Sequence, residues 1–343
     1  MLLALSTFSS CSEEVVEQWE DDAVIRFDSK EDAEGSSKGA ASRAGTFANG
    51  DAFGVTGAYY KPETSTTQTP IFENTEVTYS NGKWTYQGAR VWVDKQVHKF
   101  RAFFPYADQQ GNPDYVLKNT FGATDSYELV NFIVKDEVSQ QRDLMVSEVV
   151  TRDLVNTTGP TAYAPVSFTF SHLLTKVNVK LKINNESMNK RFSGGWKVKK
   201  LYVKLYGMKT KGTCVSGVWD TAKSPINEVG FTKFITSETG LFVSPTEVVI
   251  WNGTGEDGLL MIPQTDFTEI KCELGYFVDY TEAGATKQTF ISSIMPVPPT
   301  PTWDKAKQLM YTATVDPSND IKFLAPKVEP WSVSKNSNSV VIK

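Results

Sequence analysis

The sequence predicts an all-β protein built from two tandem β-sandwich domains, and three observations carry that expectation. Apolar residues recur with period two along most of the chain, as in Leu201, Val203 and Leu205 set between Lys200, Tyr202 and Lys204. The alternating runs are short and are punctuated by Gly, Pro, Asn and Asp, the residues of hairpin and sandwich loops. The chain has 343 residues, whereas one sandwich core usually closes within roughly 100 to 200, so two cores are expected with a boundary near residue 164.

In chain order, Met1 to Ser10 is a short apolar stretch ending in small residues directly before Cys11, the pattern of a lipoprotein signal whose cysteine receives the lipid. The unit 1–11 is read as that signal, and 12–43 as a leader, a strand and a linker. Ser12, Glu13, Glu14, Glu17, Glu20, Asp21 and Asp22 form an acidic stretch that favours solvent over packing. Ala23 to Asp28 is an isolated strand-like run, and an isolated strand must pair with something. Glu31 to Ser42 has no apolar periodicity and is dense in Gly and Ser, as a flexible linker is.

Within the first predicted sandwich, 44–164, Phe53, Val55 and Tyr59 fall on one face of a strand. Asn81-Gly82 joins two aromatic-rich arms and predicts a type I′ hairpin, because both residues tolerate positive φ. Further strands are expected at His98 to Phe104, Tyr127 to Val134 and Leu144 to Val150. In the second, 165–343, the inward face of Phe168, Phe170, His172 and Leu174 reverses into Val177, Val179, Leu181 and Ile183, which alternate with Lys176, Asn178, Lys180 and Lys182 as on a half-exposed strand. The reversal requires a bulge or a change of sheet near Leu173 to Lys176. Ile270, Cys272, Leu274, Tyr276 and Val278 form another inward row, and strands are expected at Phe290 to Ile294, Leu309 to Val315 and Ile321 to Leu324. Cys214 and Cys272 could oxidise to a disulfide or pack as two small apolar side chains, and both readings stay open.

The inventory argues against several functions. Apolar residues at 40% and charged residues at 22% are the composition of a folded chain. A formal net charge of -5 without a basic cluster offers no footprint for nucleic acid. Two histidines, His98 and His172, are too few for a catalytic zinc site without distant help, so no metal is expected. Gly35-Ser36-Ser37-Lys38-Gly39 has the spacing of a nucleophile elbow but lies in the linker rather than between a strand and a helix. Paired carboxylates for glycoside hydrolysis leave no spacing signature, yet nothing here points to an enzyme or a cofactor. Trp92, Trp219, Trp251 and Trp303 could stack on sugars, but core packing is their commoner role.

Several stretches together resemble the fimbrillin family, the subunits of protease-assembled pili. They are Cys11 with its acidic leader, Ser42-Arg43-Ala44, Asn49 to Val55, Phe170-Ser171-His172 to Lys176-Val177, Met261-Ile262-Pro263-Gln264, and Pro330-Trp331. The resemblance implies two transthyretin-like Greek-key sandwiches and export as a lipoprotein to the outer membrane and cell surface. It also implies cleavage by a trypsin-like protease between Arg43 and Ala44, and polymerisation with other subunits by strand exchange. Val24, Ile25 and Phe27 would then form a removable strand of the first sandwich, and its loss would open a groove for another subunit's strand. Val340, Val341 and Ile342 are the apolar residues a donor tail would offer. Only Ser332 to Lys343 follow Trp331, which leaves stalk, tip, anchor and non-polymerising roles open. The rival expectation is a surface lipoprotein that never polymerises and binds carbohydrate or a host ligand.

Overall fold

The alternating pattern does fold into strands. The structure, a computed structural model, describes residues 24–29, 47, 49–62, 67–110, 115–157, 159, 161–241, 248–251, 258–317 and 322–330. The earlier strands are β1 (Phe27–Ser29), β2 (Ala52–Tyr60), β3 (Thr69–Ser80), β4 (Lys83–Thr85), β5 (Val97–Phe104), β6 (Val116–Thr120), β7 (Ser126–Ile133), β8 (Met145–Ser147), β9 (Val150–Asp153), β10 (Val166–Phe168) and β11 (Phe170–His172). The later strands are β12 (Thr175–Ile183), β13 (Trp196–Tyr206), β14 (Lys211–Val215), β15 (Val218–Asp220), β16 (Phe231–Thr236), β17 (Val248–Trp251), β18 (Leu259–Met261), β19 (Lys271–Glu282), β20 (Ala285–Pro296), β21 (Lys307–Val315) and β22 (Lys322–Pro330). Among the described residues one α-helix, α1 (Asn185–Arg191), follows β12.

Two cores organise these strands. The first lies against a sheet ordered β11-β8-β5-β2-β3-β4, with β9 also on β5, and is closed by the two-stranded β1-β10 pair. Phe53, Val55, Phe72, Phe100, Phe168 and Phe170 fill it. The second core lies between a sheet ordered β17-β12-β21-β22 and one ordered β16-β13-β19-β20. Val177 and Val179 of β12, Leu309 and Tyr311 of β21, Val203 of β13 and Leu274 of β19 meet there. A further sheet, β15-β14-β7-β6, contributes Leu129 and Cys214 to the same core.

The Asn81-Gly82 hairpin forms as expected, with φ of 50° and 80° joining β3 to β4. The parity reversal is a change of sheet: β11 pairs with β8 in the first sheet, whereas β12 pairs with β17, β18 and β21. Phe168 and Phe170 still pack in the first core, whereas Leu173 and Leu174 pack in the second, so this stretch of chain passes from one core to the other between Phe170 and Leu173. Strands from both sides of residue 164 also share a sheet, since Lys211 of β14 pairs with Ile133 of β7.

Some expectations shift for physical reasons. Leu144 to Val150 divides into β8 and β9, and the last strand runs on to Pro330. Lys176 and Asn178, expected in solvent, are buried, whereas Lys180 is half-buried and Lys182 exposed; β12 is an interior strand of its sheet, and Gly258 lies against the Lys176 and Asn178 side chains. Helix α1 carries no apolar stripe. It is started by the Asn184 side chain, which accepts from the Ser187 amide at 3.2 Å, and is anchored by one buried residue, Met188.

Candidate functional site

The short segment around β1 is held on both of its edges. On one side the Ile25 amide donates to the Arg90 carbonyl at 2.8 Å, and Val24 bridges Val91 in antiparallel sense. On the other, the Val166 amide donates to the Arg26 carbonyl at 2.8 Å, and Phe27 to Ser29 run parallel to Val166 to Phe168. The Tyr86 hydroxyl donates to the Ile25 carbonyl at 2.6 Å, and burial raises that phenol above its ordinary pKa, which keeps it a donor.

The side chains follow period two. Ile25 is fully buried and Phe27 nearly so, whereas Arg26 and Asp28 face solvent and Val24 is half-buried. The Phe27 ring lies 5.1 Å from Phe72, 5.6 Å from Tyr86, 5.6 Å from Phe168 and 6.2 Å from Phe100. Of the three expected strand residues, Ile25 and Phe27 therefore supply the core contacts and Val24 the edge. Withdrawing the segment would strip the Arg90 carbonyl and the Val166 amide of their partners and uncover Phe72, Phe100 and Phe168. Such an edge of unpaired backbone above an apolar trough is a template for another strand.

Other candidate residues are dispersed. Cys11, Arg43, Ala44, Val340, Val341 and Ile342 lie outside the described residues. Near the other end, β22 pairs among the described residues only with β21 and lies at the edge of its sheet there. Cys214 and Cys272 are buried free thiols on strands of different sheets, so no disulfide joins them. Burial pushes their pKa values up to about 11 and about 12, which leaves them unreactive near neutral pH.

Trp92, Trp251 and Trp303 are buried, and Trp219 is half-buried with its indole N–H donating to the Leu173 carbonyl at 2.7 Å, so packing is their role. His172 is a core residue whose Nδ1 meets the Asp143 carboxylate at 2.5 Å, and His98 accepts from the Val93 amide at 3.3 Å. No cluster of three metal-ligating side chains and no helix long and apolar enough to cross a membrane occurs among the described residues.

Comparison with known proteins bears on this geometry. A family model described as fimbrillin-like matches residues 41–331. The fold is similar to that of a fimbrial protein from Bacteroides vulgatus, at a TM-score of 0.57 and 16% identity, covering 82% of this chain and 93% of that one. A candidate cell adhesion protein from Bacteroides uniformis aligns at a TM-score of 0.46 and 15% identity, covering 84% and 94% of the two chains. No curated protein matches the sequence.

Proposed function

The chain belongs to the fimbrillin-like family, and we propose that it is a structural or adhesive subunit of cell-surface fimbriae, assembled by strand exchange after proteolysis. The observation that carries this reading is the placement of Ile25 and Phe27, which complete the first core from a segment that a Gly- and Ser-rich linker separates from the body.

In this reading Cys11 is lipidated and brings the chain to the outer membrane and cell surface. A trypsin-like protease cuts between Arg43 and Ala44, and the fragment carrying Val24, Ile25 and Phe27 departs. The vacated groove then accepts a strand from another subunit by β-augmentation. Each restored backbone hydrogen bond contributes about 1 kcal/mol net, and each deeply buried aliphatic or aromatic side chain about 1.5–3 kcal/mol. The tail carrying Val340, Val341 and Ile342 is the donor this reading offers. In the same reading the two sandwiches are tandem transthyretin-like Greek-key domains.

The test is to cut the chain at Arg43, remove the released fragment, and compare oligomerisation of the body with that of a body truncated after Trp331. Oligomers from the first and none from the second are expected. A body that stays monomeric overturns the acceptor role and favours a non-polymerising surface lipoprotein. A truncated body that still assembles overturns the donor role of the tail.

A further inference from the structure

On the outer face of the β16-β13-β19-β20 sheet, aromatic side chains from all four strands converge. Tyr202 pairs across the strands with Phe234 and with Gly275, and Phe277 pairs with Phe290. Ring centroids are 5.8 Å apart for Tyr202 and Phe234, 6.4 Å for Tyr202 and Phe290, and 4.8 Å for Phe277 and Phe290. Phe234 is 74% exposed and Phe290 46% exposed, values far from those of the buried tryptophans. This band belongs to the second core's sheet and lies on strands other than those that hold β1.

Two features set the Tyr202 ring across the sheet, while Phe234 tilts 46° against it and Phe277 tilts 43° against Phe290. Gly275 has no side chain, and a Cβ there would drive into the Tyr202 ring, so the ring rests on the glycine backbone. The Tyr202 hydroxyl donates to the Glu273 carboxylate at 2.6 Å, which fixes the ring's direction, and the ring lies within 17° of parallel to Phe290. Polar groups surround it. Lys200 stands beside Phe277 in the same row, Ser292 lies opposite Gly275, and Gln288 donates to Asp279 at 2.7 Å.

From this geometry we propose that the platform formed by Phe234, Tyr202, Phe277 and Phe290 binds an oligosaccharide of pyranose sugars. The apolar C–H faces of the sugars lie on the rings, and their hydroxyls reach Lys200, Ser292 and Gln288. The small size of the ring band, which one further exposed apolar side chain, Ile294, borders on the same face, favours a sugar over a protein. Four strands spaced about 4.8 Å apart make a band about 14 Å wide, and two residues along a strand add about 7 Å. A specific protein interface needs about 800 Å² from each partner, several times that footprint. A short sugar chain fits the band, and alternating flat apolar and hydroxyl-bearing surface is what a sugar presents.

The test titrates the full chain with hexasaccharides of two kinds: neutral cello-, xylo-, chito- and manno-oligosaccharides, and acidic galacturonan and chondroitin sulfate fragments. Saturable binding of at least one is expected. Phe234→Ala and Phe290→Ala should each weaken it about three- to tenfold, with unchanged thermal unfolding because both side chains are exposed. Tyr202→Phe keeps the ring and should retain most of the binding. Absence of binding across the panel overturns the proposal, and so does binding that the Phe234→Ala/Phe290→Ala double variant leaves intact. Loss of self-association in that double variant would instead mark a protein contact and also overturns it. Assembly after cleavage at Arg43, measured in the same variants, should be unchanged, so failure here and failure of the assembly reading are separable.

Discussion

Phe27 touches four aromatic rings of the first core, from a segment that also supplies the buried Ile25. Truncation of Phe27 to alanine should therefore cost about 3–5 kcal/mol of that core's stability, measurable as a lower denaturant midpoint in the uncut chain. A second residue sets an acid limit. His98 is fully buried, and burial lowers its pKa from 6.5 to about 4. The unfolded chain thus binds a proton between those values while the folded chain does not, so stability falls as pH drops from about 6.5 towards 4 and is level above. The thermal midpoint followed over that range should fall less steeply in His98→Gln than in the parent chain. At this scale the sequence told which residues alternate but not which tryptophans are buried. An indole packs equally well in a core or at a surface, and only the register of distant strands places Trp251 and Trp303 inside.

Single strands and turns were the most legible level. The positive φ that Asn81 and Gly82 adopt is a local property, and so is the period-two burial of β13 and β19. Helix α1 escaped notice because its start rests on a single cap, and its sequence offers one buried residue rather than a stripe. The pairing of β7 with β14 and the aromatic band on the outer sheet face were equally hidden. Their residues are visible in sequence, but their convergence depends on register between segments far apart in the chain. Of the candidate exchange site, the strand itself was legible as an isolated apolar run, whereas its partners at Arg90, Val91 and Val166 were not. For this element the account predicts that limited trypsin cuts first at Arg43 or Lys38 and leaves a resistant body beginning near Ala44. Mass spectrometry of the early products checks this, and an early cut within residues 60–320 would contradict the packing described.

Cleavage at Arg43, as proposed, would change the charge of the whole molecule. Residues 1–43 hold ten acidic and four basic side chains, leaving thirty acidic and thirty-one basic in 44–343, so a chain at -5 would become a body at +1. Isoelectric focusing should show a marked basic shift once the fragment leaves, and no shift while it remains bound after the cut. The central claim is that the β1 segment occupies a groove another subunit's strand can fill, and peptide competition tests it most directly. The body cut at Arg43 and freed of its fragment is incubated with or without a synthetic peptide of residues 23–29, and its mass is followed by light scattering. The account predicts growth into oligomers without the peptide and a monomeric body with it. Equal growth in both arms, or no growth in either, would contradict it.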